Sequence, residues 1–144
     1  MLGRKDFTKN ELATARTAIE GQLAAYRRLA EAVEGSGDAD AVAALEAFEP
    51  RFFTNLTLAL DRPFVHRVRM VTGKDGTPLN ELEMYVDALT TKGGILKQST
   101  VIKLDPATSV VRIGFGSRVE LTAEQFEDLA KAVFAELEQK FVTG

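Results

Sequence analysis

The chain has 144 residues, 45% hydrophobic and 27% charged, a size and balance that suit one folded domain and exclude disorder of the whole chain. It has no cysteine, which excludes disulfides, thiolate metal sites, iron–sulfur clusters and cysteine nucleophiles. A net charge of −3 disfavours polyanions such as DNA, and no tryptophan with only two tyrosines leaves few platforms on which bases could stack.

The amino terminus, MLGRKDFTKNEL, is polar and has no apolar segment of a secretory leader. No run of about 18 apolar residues exists to span a membrane. A cytoplasmic protein without membrane contact is the expectation.

Thr8 and Glu11 have the spacing of a capping box, so a helix should begin there. Leu12, Ala15, Ile19, Leu23, Tyr26, Ala30 and Val33 then recur at steps of three and four, the period of one helical face. Gly35-Ser36-Gly37 should end it. Gly21 costs about 1 kcal/mol relative to alanine; a closely approaching helix would explain it, and tolerance is the plainer reading.

A second helix starts at Asp38 or Asp40, with Val42, Leu45 and Phe48 on its buried face. Pro50 predicts a kink or a restart. Beyond it, Phe52, Phe53, Leu56, Leu58, Ala59 and Leu60 cover more than one helical face. Such a stretch lies in the core or is covered by a partner. Core placement is favoured; the partner reading predicts a homodimer. After Pro63, the spacing of Phe64, Val68 and Val71 predicts a short helix.

Thr72–Gly76 reads as a loop, and Thr77-Pro78 as a cap followed by proline at the first helical position. Leu79, Leu82, Val86 and Leu89 should face inward, and Gly93-Gly94 should close that helix. The period then changes to two: Thr100, Ile102 and Leu104; Val111, Ile113 and Phe115; Val119 and Leu121. Turns at Asp105–Thr108 and Gly116-Ser117 would join three strands into an antiparallel meander. Thr122 and Gln125 form a further capping box, and Phe126, Leu129, Val133, Leu137 and Phe141 line one face of a last helix. The expected fold class is therefore α+β and helix-rich: N-terminal helices, a three-stranded antiparallel meander and a C-terminal helix, in a single domain over residues 1–144.

Two stretches, HRVRMVTGKDGTPLNELEMYVDAL at 66–89 and VVRIGFGSRVELTAEQFEDLAKAVFAELEQKF at 110–141, resemble a family of short uncharacterised bacterial proteins. These pair a GKDG-x-PLNE loop and helix with an IG-type strand, a capped helix start and a phenylalanine-rich terminal helix. The resemblance implies a self-contained fold and carries no activity, ligand or partner with it.

For chemistry, the segment from Arg62 to Lys74 is the most informative, with three arginines, one lysine and no acid. Its His66 is the chain's single histidine. On a helix Arg62, His66 and Arg69 would share a face able to hold a carboxylate or phosphate, with Arg67 and Lys74 nearby. Ordinary ion pairs with Asp38, Asp40, Glu46 and Glu49, or with Glu124, Glu127, Asp128, Glu136 and Glu138, explain the same arginines and carry more weight. The turn Gly73–Glu81 could present helix-start amides to an anion, or oxygens of Asp75, Asn80 and Glu81 to a hard cation. It has the spacing of neither a P-loop, a dinucleotide turn nor a calcium loop, and a tight turn plus a cap accounts for it.

There is no G-x-S-x-G elbow, and one histidine cannot build a histidine-rich zinc site within the chain. The carboxylate pairs Glu81 with Asp87 and Glu136 with Glu138 are read as solvated charge. No catalytic residue, cofactor or metal ligand is assigned. The expected function is that of a non-catalytic interaction or structural protein that self-associates as a dimer. The alternative is a binder of, or small enzyme acting on, an anionic small molecule at Arg62, His66, Arg67, Arg69 and Lys74. Nucleic-acid contact through that stretch ranks last.

Overall fold

Where the sequence supplies a hydroxyl or carboxylate to take up free amides, a helix begins. A computed structural model, which describes residues 6–64 and 67–142, has helices α1 (Lys9–Gly35), α2 (Ala39–Asp61), α3 (Pro78–Thr91) and α4 (Ala123–Phe141), with a 3-10 turn at Arg69–Val71. The Thr8 hydroxyl accepts from the Glu11 amide at 3.1 Å, and the Glu11 carboxylate accepts from the Thr8 amide at 3.2 Å. Thr77 with Asn80 and Thr122 with Gln125 repeat this reciprocal arrangement at α3 and α4. Asp38 caps α2 alone. Each cap contributes about 1 kcal/mol.

Residues 36–38 are too few to do anything but turn α2 back alongside α1. Helices α2 and α4 each pack against all the others and form the middle of the molecule. Phe53, Leu60, Tyr85, Phe126, Leu129, Val133 and Leu137 are completely buried there. An aromatic chain crosses from α1 to α4: Tyr26 stacks on Phe52 at 5.3 Å and meets Phe53 edge-on at 4.9 Å, and Phe53 lies 5.6 Å from Phe126. At the far edge, the Phe7 amide donates to the Phe141 carbonyl at 2.8 Å, tying the start of the described chain to its end.

Pro50 does not restart α2, which is one continuous helix. An internal proline costs about 3 kcal/mol, whereas burial of Phe53, Leu56 and Leu60 just beyond it contributes about 2 kcal/mol each. That same burial places the apolar stretch from Phe52 to Leu60 chiefly in the core. Phe48, read as inward-facing, is 44% exposed instead. The helix read from Phe64 to Val71 is a turn followed by one 3-10 turn; its Val65 and His66 lie outside the described residues.

The largest correction concerns the meander. Among the described residues there is no strand, only two isolated bridges, so the fold is all-helical and not α+β. The alternating residues do turn inward: Leu104, Val111, Val119 and Leu121 are buried. Several backbone amides of the segment, however, are committed elsewhere. The Val110 and Val111 amides each donate to the Glu81 carboxylate at 2.8 Å. Those of Val101 and Ile102 donate to the Ser99 hydroxyl at 3.0 Å, and those of Thr108 and Ser109 to the Asp105 carbonyl. A ladder needs these donors, and the side chains and turns took them first. Among the described residues, the antiparallel bridge of this region joins Ile95 to Arg118.

Two carboxylates read as solvated are also buried. Glu81 is 1% exposed and Glu136 is 5% exposed. Besides the two valine amides, Glu81 accepts the Tyr85 hydroxyl at 2.6 Å. Glu136 accepts the Leu79 amide at 2.9 Å and the Lys140 ammonium at 2.9 Å. Each is a buried anion surrounded by donors, the condition under which such burial is tolerated.

Both tyrosines are sealed against carboxylates. Burial, reinforced by the hydrogen bond to Glu49, raises the Tyr26 phenol from 10.0 to about 12. Burial and the adjacent Glu81 raise Tyr85 further. A group whose folded pKa lies above its unfolded value stabilises the fold fully below the unfolded value and loses that contribution as pH climbs through the folded one. Stability should therefore hold up to pH 10 and fall from there to about 12. With only two tyrosines and no tryptophan, phenolate absorbance reads this directly. Ionisation should appear together with loss of helical circular dichroism, and phenolate forming near pH 10 in a folded chain would contradict this burial.

Candidate functional site

The arginine stretch is divided among different partners. Arg67 pairs with the Glu11 carboxylate, donates to the Asp6 carbonyl at 3.4 Å and lies 4.7 Å over the Phe7 ring. It thereby fastens the start of α1. Arg69 donates to the Asp61 carboxylate at 2.5 Å and stands 3.7 Å from Glu83, joining the end of α2 to α3. Arg62 and Lys74 are exposed and make no ion pair among the described residues. His66 lies outside the described residues. The structure thus draws Arg67 and Arg69 to separate carboxylates, and shows no convergence of the described members on one hollow.

The turn at 73–81 is closed by its own side chains. The Asn80 carboxamide accepts the Gly76 and Thr77 amides at 3.0 and 3.2 Å and donates to the Gly73 carbonyl at 2.9 Å. The start of α3, where an anion would bind, already holds the Glu136 carboxylate on the Leu79 amide. Sequence reasoning missed this role. The signal was present: Glu136 falls three residues after Val133 and seven after Leu129, on the apolar face of α4.

A different surface stands out. Ala47, Arg51 and Asn55 recur every fourth residue along α2, as do Phe48 and Phe52, and form one wall of an open groove of about 840 Å³. Leu89, Gly94 and Arg118–Glu120 form the other wall. The 95–118 bridge holds that second wall in place. Phe48 is the exposed end of the aromatic chain, 5.7 Å from the half-buried Phe52. Arg51 and Arg118 flank it, and neither has a carboxylate partner among the described residues. Glu46 and Glu120 line an adjoining hollow of about 390 Å³ that shares Pro50 and Glu120 with the groove. Neither glutamate makes an ion pair among the described residues. Glu49, beside them, is occupied by the Tyr26 hydroxyl at 2.9 Å and the Ala123 amide at 3.3 Å. The surface is thus an exposed aromatic ring bordered by two cations and two anions that make no ion pair among the described residues, which suits docking.

Among the described residues no group of three metal-ligating side chains comes together, and no helix is long and apolar enough to cross a membrane. The chain matches no family model, no curated protein and no solved structure.

Proposed function

We propose that this chain is a non-catalytic cytoplasmic interaction protein that self-associates as a homodimer through the groove beside α2. The observation that carries this reading is the mixed charge around Phe48. A two-fold interface presents the same patch on both partners, so it must complement itself. Here Arg51 and Arg118 of one copy can face Glu46 and Glu120 of the other, while the Phe48 rings meet at the centre. An aromatic anchor at the middle of a charged rim is the usual anatomy of a stable contact. The bacterial resemblance of residues 66–89 and 110–141 belongs to the same proposal and adds no partner to it.

Sedimentation or light scattering across micromolar concentrations tests the reading. The expected species is a dimer, and Phe48→Glu should weaken it by about thirtyfold or more, the loss typical of a central anchor. Two charge-reversed chains sharpen the test, one with Arg51→Glu and Arg118→Glu, the other with Glu46→Arg and Glu120→Arg. Each alone should be monomeric, and a mixture should recover a heterodimer because every cross-contact is again attractive. A wild-type chain that stays monomeric, or a dimer indifferent to these changes, overturns the reading.

A further inference from the structure

We infer that a second, smaller hollow, between the start of the 3-10 turn, α3 and residues 97–102, is a binding site for a compact zwitterion of amino-acid type. It encloses about 150 Å³. A cavity of that size holds a molecule of about six non-hydrogen atoms. Arg69, Glu83, Asp87, Lys92, Lys97 and Ser99 line it.

Most of these charges already cancel. Arg69 is held by Asp61, and Lys92 lies 2.8 Å from Asp87. Three groups keep unused capacity. The Glu83 carboxylate accepts no hydrogen bond from the described residues: Arg69 approaches it only to 3.7 Å, and its Oε2 is shut off from solvent without a donor. The Lys97 ammonium makes no ion pair among the described residues. The Ser99 oxygen accepts the Val101 and Ile102 amides, which leaves its hydroxyl hydrogen free to donate.

A carboxylate with one oxygen shut off from water and only 16% of its side chain exposed favours a donor, preferably a charged one. An ammonium group supplies that to Glu83. The Lys97 ammonium and the Ser99 hydroxyl, both donors, then suit an anionic group at the other end of the same molecule. Overall charge agrees: Arg69, Lys92 and Lys97 balance Glu83, Asp87 and Asp61, so the site favours a ligand with no net charge. Three cationic side chains in so small a space disfavour a metal ion.

Glycine, L-alanine and L-serine are the probes, compared with acetate and methylamine, which carry one end each, by calorimetry and by amide chemical shifts in the full chain. The amino acids should saturate the site, with shifts confined to residues 69 and 83–102, and bind at least about tenfold more tightly than either half-molecule. Glu83→Gln should abolish binding. Lys97→Met, at an exposed position that leaves the fold intact, should weaken it about tenfold, as should Ser99→Ala. No saturable binding of any amino acid, equal binding of acetate or methylamine, or affinity unchanged in Lys97→Met overturns the inference.

Discussion

Glu81→Ala should lower the unfolding free energy by about 4–5 kcal/mol, because three donors, two of them buried and one half-buried, lose their acceptor at once and each costs about 1–3 kcal/mol when left unpaired. The donors are the Val110 and Val111 amides at 2.8 Å and the Tyr85 hydroxyl at 2.6 Å. Since domains of this kind have about 5–15 kcal/mol in total, the variant should sit near the edge of folding. Urea denaturation followed by circular dichroism measures the loss. Hydrogen exchange should show where it acts first, with protection falling at Val110 and Val111 before the helices open. Glu81→Gln keeps the shape but offers one acceptor oxygen and turns a carboxamide NH2, itself a donor, toward donors, so an intermediate loss of about 2 kcal/mol is expected. A loss below about 1 kcal/mol for Glu81→Ala would mean that this carboxylate is not the anchor of residues 110–111.

Gly76→Ala should cost about 3 kcal/mol and lower Tm by roughly 10 °C, for two reasons that add. Its φ of +81° is one that side chains rarely adopt, and an added Cβ would stand 2.6 Å from the Lys103 carbonyl oxygen and 3.2 Å from the Leu104 Cα. Both obstacles are backbone atoms, and the Lys103 amide is itself bonded to the Lys74 carbonyl at 2.8 Å, so they cannot swing aside. Gly73 supplies the control. Its φ is +76°, but nothing lies within 4 Å of a Cβ there. Gly73→Ala should show only the backbone strain, about 1 kcal/mol. Equal losses in the two variants would show that the close approach of residues 103–104 contributes nothing.

Both predictions concern contacts between α3 or its leading turn and residues 101–111, the region where reading by pattern failed. Alternation at Ile102, Leu104, Val111 and Ile113 records which side chains turn inward, and that much was legible. It does not record where the intervening amides go. Glu81 takes two of them from a position about thirty residues earlier. A pairing so distant leaves no periodic trace, and a strand and an inward-facing irregular segment then look alike. Phe48 shows the converse error. Its spacing from Leu45 puts it near the apolar stripe of α2, but Leu45 is buried whereas Phe48 is left 44% exposed on the groove. Of the arginine stretch, the expectation of ion pairs foretold the kind of partner Arg67 and Arg69 have, though not Glu11, Asp61 and Glu83 themselves.

The sequence alone determined where the helices start and which faces of α1 and α4 turn inward. The starts of α1, α3 and α4, at Thr8, Thr77 and Thr122, that of α2 to within the choice of Asp38 or Asp40, and the faces of α1 and α4 come from local hydrogen bonds and a period of 3.6. Only the tertiary structure decided that residues 92–122 form no sheet, that Glu81 and Glu136 are internal anchors, and that the exposed aromatic lies at Phe48. Those outcomes depend on which distant donor reaches a buried carboxylate first, and on which helix covers which face. Both are settled by three-dimensional competition for hydrogen bonds and apolar surface, which no short window of residues contains.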